Sequence, residues 1–302
     1  MTNETSQPDL YLLGGVSPAL EATLAERFTL YRNDPPATTR AIVGGGSSVV
    51  DAALLDRLPA LEIVAIHGVG YDGVDLAAAK ARGIAVTTTP DVLTDDVADL
   101  AIGLMLAVQR RIVANDRAVR DGGWQVDLAR RASGRRIGIF GLGRIGRAIG
   151  KRAAPFANEL YYTARSAKPN FEGMFHADIV SLAAACDVLI IAAPGGEATS
   201  HIVDAGVLGA LGEDGILVNI ARGSLVDEPA LVAALQDGTI AGAGLDVFAD
   251  EPAVPDALKA MDRVVLSPHQ GSATVDGRAA MGALVVANLD AHFGGKALLT
   301  PL

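Results

Sequence analysis

Cysteine is nearly missing from this chain: among 302 residues only Cys186 occurs. One thiol cannot close an internal disulfide, and there is no second thiol for a thiolate metal cluster. Its setting, Ala183-Ala184-Ala185-Cys186-Asp187-Val188, predicts a small buried core residue. Aromatic residues are scarce at 4%, and charged residues make up only 20%. Basic charge is in deficit, with a formal net charge of −10. Clustered Lys and Arg are what neutralise nucleic-acid phosphates, so no nucleic-acid partner is expected. A local basic pocket for a small anion remains open. Long apolar runs are lacking too: the longest, over 97–108, is broken by Asp99 and falls short of the ~18 residues of a membrane span. The start, Met1 to Asp9, is polar and has no charged-then-apolar secretion pattern. The expectation is a cytoplasmic protein with no membrane partner.

What the chain has in quantity is small and aliphatic residues, with 50% hydrophobic and 34 glycines. That composition suits α/β layers whose parallel strands are buried on both faces. The length suits two domains, at roughly 150 residues each. Short apolar runs predict strands over 10–13, 41–43, 61–66 and 84–86, a further one over 28–31, and helices over 18–28, 49–58 and 74–82. A second pattern starts at Ile137. It predicts strands over 159–163, 188–192, 216–220, 241–247 and 264–266, with helices over 143–156, 179–185, 204–211 and 228–236. Such alternation makes parallel sheets. The stretch 94–111 has helical spacing, with Thr94 as N-cap, Asp95 and Asp96 in the first turn and Arg110-Arg111 at the end. A last helix over 276–293 is expected to return to the first domain, making it discontinuous.

Gly141-Leu142-Gly143-Arg144-Ile145-Gly146 follows the apolar run 137–140 and leads into Arg147-Ala148-Ile149-Gly150. Strand, glycine turn and helix are thus written in order. In such a turn the first glycine allows a tight bend, the second lets backbone approach a pyrophosphate, and the third lets helix pack on strand. The helix N-terminus adds free N–H groups and a positive dipole end. The pattern predicts dinucleotide binding. The next strand ends in Thr163-Ala164-Arg165-Ser166-Ala167-Lys168, with Arg165 lying 24 positions past Gly141. An acidic residue about 20 positions on is the usual partner of the NAD ribose, and none occurs between Leu160 and Phe171. A guanidinium grips a phosphate dianion bidentately and the Ser166 hydroxyl adds a donor. NADP(H) is therefore expected as cofactor, the other reading being that Arg165 and Lys168 are solvated loop charges.

Three polar clusters follow later strands: Asn219-Ile220-Ala221-Arg222-Gly223, then Leu245-Asp246 through Glu251-Pro252, then Ser267-Pro268-His269-Gln270-Gly271. A glycine-rich loop, His67-Gly68-Val69-Gly70-Tyr71-Asp72, ends a strand of the first domain. Ligands bind at strand ends in open parallel sheets, and loops of two domains meeting at a cleft suit a small anion. With Thr89-Pro90-Asp91 and Asp95 to Asp99, these motifs occur in an order that resembles the D-isomer-specific 2-hydroxyacid dehydrogenases over nearly the whole chain. The Thr-Ala-Arg-Ser ending is similar to NADPH-using glyoxylate and hydroxypyruvate reductases. A related branch reduces aromatic hydroxyphenylpyruvates.

The resemblance implies two doubly wound parallel-sheet domains. One is a smaller, flavodoxin-like substrate domain over 1–96 and 277–302; the other is a Rossmann dinucleotide-binding domain over 97–276. It implies NADPH-dependent reduction of a small 2-oxo acid to the D-2-hydroxy acid. Arg222 would hold the substrate carboxylate and polarise the keto oxygen. The N–H groups of Val69 and Gly70 would bind the carboxylate from the other domain. His269 would donate the proton, with Glu251 orienting its ring and stabilising the imidazolium charge. Asp246 matches a contact to the nicotinamide carboxamide, and Ala193, Pro194, Thr199, Ile220, Ala221 and Gly271 complete the cofactor residues. No two histidines stand at metal-binding spacing beside a carboxylate, so no metal is expected. His67, His176, His201 and His292 have structural or solvated roles on this reading.

Substrate choice is expected from Gly44-Gly45-Gly46-Ser47-Ser48 and from residues near Trp124. That loop is compatible with glyoxylate or hydroxypyruvate, and equally leaves room for an aromatic ring; the other reading is that it is simply a strand-to-helix turn. The apolar stretch 94–123 resembles the family's dimerisation segment, so a homodimer is expected. Two rival readings stand beside this one. An NAD-linked phosphoglycerate-type dehydrogenase is disfavoured by Arg165 and by the lack of a C-terminal regulatory domain. A non-catalytic dinucleotide-sensing protein is disfavoured by the intact Arg222, Glu251 and His269 set and by a chain that stops at Leu302, with no long tail.

Overall fold

A computed structural model describes residues 7–46 and 48–302. The chain divides into two compact units, one running up to Leu93 and resuming over Ser272–Leu302, the other covering Thr94–Gly271. The boundaries lie at Leu93 and Gly271 rather than at 96 and 276. A turn at the first boundary, closed by the Val92 N–H on the Pro90 carbonyl (2.9 Å), winds the chain straight into the helix Thr94–Gln109.

The first unit holds five short strands: β1 (Asp9–Leu13), β2 (Thr29–Tyr31), β3 (Ala41–Gly45), β4 (Ile63–His67) and β5 (Ala85–Thr87). They lie in the order β2-β1-β3-β4-β5, and every neighbouring pair is parallel. This is the doubly wound order of flavodoxin-like sheets. Successive residues of a strand face opposite sides, so β3 sends Val43 to one core and Ile42 to another. The first core gathers Leu10, Leu12, Leu24, Val43 and Ile63; the second gathers Ile42, Leu55, Val64, Ile66 and Val86. The helix Val275–Phe293 closes the first core with Val285 and Leu289, which is why the chain's end belongs to its beginning.

The second unit holds seven strands: β6 (Arg135–Phe140), β7 (Ala157–Thr163), β8 (Met174–His176), β9 (Val188–Ile191), β10 (Ile216–Asn219), β11 (Gly242–Leu245) and β12 (Val264–Leu266). Their order is β12-β11-β10-β9-β6-β7-β8, again parallel throughout. Counted from β6, this is the Rossmann order with one strand added at the edge, and the strand order reverses between β6 and β9. The two doubly wound domains expected from the sequence are thus the observed fold class.

Most element ends moved by a few residues, and among the strands and α-helices of the described residues three were not foreseen: β8, the short helix Asp256–Lys259 and the helix Ile112–Arg120. Thr94 is the first helical residue rather than the cap before it. Arg111 does not finish that helix but breaks it. Its backbone is left-handed (φ 53°), and the helix Ile112–Arg120 starts immediately after it. Trp124, whose placement the sequence left open, is 86% exposed. Among the other histidines, His67 is buried, His292 sits 3.0 Å from Glu62, His176 packs edge-on against Tyr161, and His201 is exposed. No helix among the described residues is long and apolar enough to cross a membrane.

Cys186 is buried against β6, where a Cβ on Gly138 would come within 2.8 Å of its sulfur. Burial, helped by the negative charge of Asp187, pushes its thiol pKa up to about 12. Because the thiolate is the reactive form, the folded protein is expected to resist an aromatic disulfide reagent at mildly alkaline pH. One thiol per chain should react once denaturant is added. Rapid labelling of the folded protein would contradict the burial of this side chain.

Candidate active site

All the expected cofactor and catalytic residues of the second unit follow the C-terminal ends of its strands. The turn after β6 comes first. Gly141 has φ +99°, a conformation that side chains rarely adopt, and a Cβ there would lie 2.5 Å from the Ala193 nitrogen in the loop after β9. A Cβ on Gly146 would overlap the carbonyl oxygen of Gly141. Packing of the protein against itself therefore demands these two glycines. Gly143 differs: a Cβ there would meet nothing within 4 Å. It caps the helix Arg144–Ala153 without any side-chain hydrogen bond. The first turn of that helix thus lacks a side-chain cap and adjoins open space, as an anion requires. The cradle fits a dinucleotide pyrophosphate.

Beyond β7, Arg165 and Ser166 are exposed. In the loop after β9, the Thr199 hydroxyl donates to the carbonyl oxygens of Pro194 (2.9 Å) and Gly196 (3.2 Å), shaping the backbone beside Ala193.

At the end of β10 the buried Asn219 folds the chain back on itself. Its amide donates to the Arg222 carbonyl at 2.9 Å, and its side-chain oxygen accepts the Ala221 N–H at 3.0 Å. This clasp presents the half-buried Arg222, whose Nη1 donates to the Ala221 carbonyl at 2.7 Å. A Cβ on Gly223 would overlap the carbonyl group of Phe248. The arginine turn therefore lies directly on the backbone that follows β11.

That backbone begins with Asp246, only 1% exposed. Its Oδ1 accepts from the Ser267 hydroxyl (2.6 Å) and the Gln270 N–H (2.7 Å), and its Oδ2 accepts the Gly271 N–H (2.8 Å). Its carbonyl oxygen accepts the His269 N–H at 2.8 Å. One buried aspartate thus sets the whole loop after β12. His269 itself is left-handed (φ 53°), a conformation costing ~1–2 kcal/mol for a side chain of this kind. Its ring is gripped in turn: Glu251 accepts the Phe248 N–H through Oε1 (3.0 Å) and lies 2.7 Å from His269 Nδ1 through Oε2. A carboxylate can only accept, so Nδ1 carries a proton and Nε2 is the nitrogen left for chemistry.

Residues 102–271 match the family model described as D-isomer specific 2-hydroxyacid dehydrogenase, NAD binding domain. The chain belongs to this family. The dehydrogenase is 48% identical over 301 residues to a glyoxylate/hydroxypyruvate reductase of Arabidopsis thaliana, covering 95% of this chain and 96% of that one. It is 49% identical, with the same coverage, to a hydroxyphenylpyruvate reductase of Plectranthus scutellarioides. Its structure is similar, at TM-score 0.92 and 44% identity, to an NADPH-dependent glyoxylate/hydroxypyruvate reductase of Sinorhizobium meliloti solved with NADP and malonate. The similarity covers 98% of this chain and 97% of that one.

In the other unit of the dehydrogenase, Val69 and Gly70 lie half-buried just after β4, where the Gly68 carbonyl accepts the Thr89 N–H at 2.8 Å. The loop expected to govern substrate choice proves partly structural. The Ser48 hydroxyl donates to the Leu13 carbonyl (2.7 Å) and accepts the Gly45 N–H (2.9 Å), while Ser47 lies outside the described residues. Asp246, expected at a nicotinamide carboxamide, is engaged with loop 267–271. The anchoring roles of Asn219, Ser267 and Asp246 were not read from the sequence. Their signal was a polar residue ending or following a buried apolar strand, where any polar group needs a partner.

Proposed function

We propose that the protein reduces a small 2-oxo acid, of the glyoxylate or hydroxypyruvate kind, to the D-2-hydroxy acid at the expense of NADPH. The observation that carries this reading is the Glu251 carboxylate, shared between the Phe248 N–H and His269 Nδ1 on the sheet edge that also bears the open glycine turn. The turn Gly141, Leu142, Gly143, Arg144, Ile145 and Gly146 would hold the pyrophosphate, and Arg165 with Ser166 the 2′-phosphate. Ala193, Pro194, Thr199, Ile220, Ala221, Asp246 and Gly271 would line the rest of the cofactor. Bound there, a nicotinamide supplies the hydride.

The chain's own residues do the remainder. Arg222 binds the substrate carboxylate and draws electron density onto the keto oxygen, as a fixed cation aimed at developing charge does. The main-chain N–H groups of Val69 and Gly70, in the first unit, are further candidate donors to a carboxylate. His269 gives its Nε2 proton to the alkoxide and recovers it in the reverse direction. Glu251 keeps the ring oriented and balances the imidazolium. The identity shared with the Plectranthus hydroxyphenylpyruvate reductase favours a second reading, an aromatic 2-oxo acid as substrate.

We also infer a homodimer. The helix Ile112–Arg120 leaves Ile112 and Val119 more than half exposed, and the irregular segment after it leaves Trp124 and Leu128 exposed at 86% and 98%. Large apolar side chains left exposed along one segment of chain point to an interface. Sedimentation should show a species near twice the 31.0 kDa of the chain, and a lone monomer at micromolar concentration would overturn the inference.

A steady-state panel of glyoxylate, hydroxypyruvate and hydroxyphenylpyruvate with NADPH and NADH tests the activity. Turnover is expected with NADPH, and His269→Asn should lose roughly 10²–10⁴ in kcat. An unaltered pH profile with retained kcat in that variant would remove the acid–base role. Arg165→Asp should raise the NADPH KM by about ten-fold or more, since it replaces a phosphate-binding cation with a repelling anion. No change in cofactor preference would sink the 2′-phosphate assignment.

A further inference from the structure

One buried phenol of the seven-stranded sheet takes no part in the chemistry proposed above. Tyr162, in β7, is 2% exposed. Its hydroxyl accepts the main-chain N–H of Lys168 at 2.7 Å and faces the carbonyl oxygen of the same residue at 3.5 Å. A buried phenol bonded to a loop's backbone fixes where that loop stands above the sheet. This loop carries Arg165 and Ser166, and the Lys168 Nζ lies 3.4 Å from the Ser166 hydroxyl.

Two further ties hold the loop's far end to the glycine-turn helix. Arg147 of that helix donates to the Asn170 carbonyl at 3.3 Å. The Phe171 ring fills a notch left by two glycines: a Cβ on Gly150 would come within 2.6 Å of it, and one on Gly173 within 2.8 Å. The same ring meets Tyr162 edge-on, with centroids 5.3 Å apart.

We propose that Tyr162 is a specificity-determining positioning residue. Its hydroxyl holds the Lys168 main chain so that Arg165, Ser166 and the Lys168 ammonium stand ready around the 2′-phosphate of a dinucleotide. This rests on the NADPH reading above. Arginine and lysine on a loose loop would lose side-chain and loop freedom on binding, and a loop fixed beforehand avoids that loss. Two cations and a hydroxyl match a phosphate dianion, which takes charge-assisted hydrogen bonds in preference to neutral ones. Tyr162 itself touches no ligand in this scheme.

The test is calorimetric binding of 2′,5′-ADP, which bears the 2′-phosphate but no nicotinamide, compared with 5′-AMP. Tyr162→Phe keeps the ring and removes only the hydroxyl, while Gly150→Ala displaces Phe171 and leaves the hydroxyl in place. Tyr162→Phe should bind 2′,5′-ADP about five-fold more weakly and 5′-AMP unchanged, with a matching rise in NADPH KM at constant kcat. Gly150→Ala should shift the same ligand in the same direction. An unchanged preference in Tyr162→Phe, in a native background that favours 2′,5′-ADP, overturns this proposal alone. Equal weakening of both ligands also overturns it, because the hydroxyl would then support the fold and not the phosphate subsite. A native protein that binds the two nucleotides equally overturns the NADPH reading instead.

Discussion

Parallel pairing is the constraint on which the rest of the second unit depends. In an antiparallel sheet consecutive connections leave opposite edges, whereas parallel strands deliver every strand's end to one edge. Here the register makes the delivery level. Phe140 pairs with Thr163 on one side and Ile191 on the other, Ile191 with Asn219, Asn219 with Leu245, and Leu245 with Leu266. Thr163 pairs in turn with His176, so all seven strands end in one row. Residues as distant in sequence as Gly141 and His269 therefore leave the sheet at the same height. The buried faces that hold this register, Leu189, Ile191, Leu217 and Leu245 among them, supply the apolar burial that makes a level edge affordable.

A level edge does not by itself aim a side chain. That is done by two polar residues buried to the same degree at neighbouring strand ends. Asn219 and Asp246 are each 1% exposed, and the Asp246 N–H donates to the Asn219 carbonyl at 2.9 Å, so the two anchors are themselves joined. Hydrogen bonds to a charged group contribute about 1.5–3 kcal/mol each, and Asp246 accepts three through its carboxylate. That outweighs the ~1–2 kcal/mol of the left-handed backbone at His269. The histidine can thus occupy a conformation that its own chain would not choose. Glu251 then fixes the ring, and the close seating of Gly223 on Phe248 joins the arginine turn to the glutamate loop.

The fold class was legible because period and punctuation agree: apolar runs of strand length, helical spacing between them, and a glycine turn where the first Rossmann strand ends. The positions of the candidate site residues in the second unit were legible because each stands just past an apolar strand. What escaped had a physical reason in each case. β8 is three residues long with two of them exposed, so Met174 and Phe175 give no buried pattern to read. The break at Arg111 turns on one backbone angle, which an arginine adopts rarely and does not advertise. The anchoring by Asn219 and Asp246 joins residues on different loops, and no local propensity encodes such a contact. Ser48 belongs to the glycine-rich loop 44–48 that was expected to govern substrate choice. Its bonds to Leu13 and Gly45 show that those glycines partly serve the loop's own closure.

The edge also divides its labour. The residues proposed to face phosphate follow β6 and β7, while the proposed acid–base pair follows β11 and β12, at the opposite flank of the same row. From β7 to β12 is five strand steps, each about 4.8 Å, or roughly 24 Å before twist. Sites that far apart with no shared partner act almost additively, since direct coupling fades beyond about 7–10 Å. On the proposed assignment, cofactor discrimination and proton transfer therefore rest on separate sets of contacts. The first is tied to the glycine-turn helix through Arg147 and Phe171, the second to the buried carboxylate of Asp246. If Arg165 and Ser166 hold the 2′-phosphate as proposed, a substitution in their loop retunes the choice of nucleotide while the histidine at the other end keeps its partner, its tautomer and its direction.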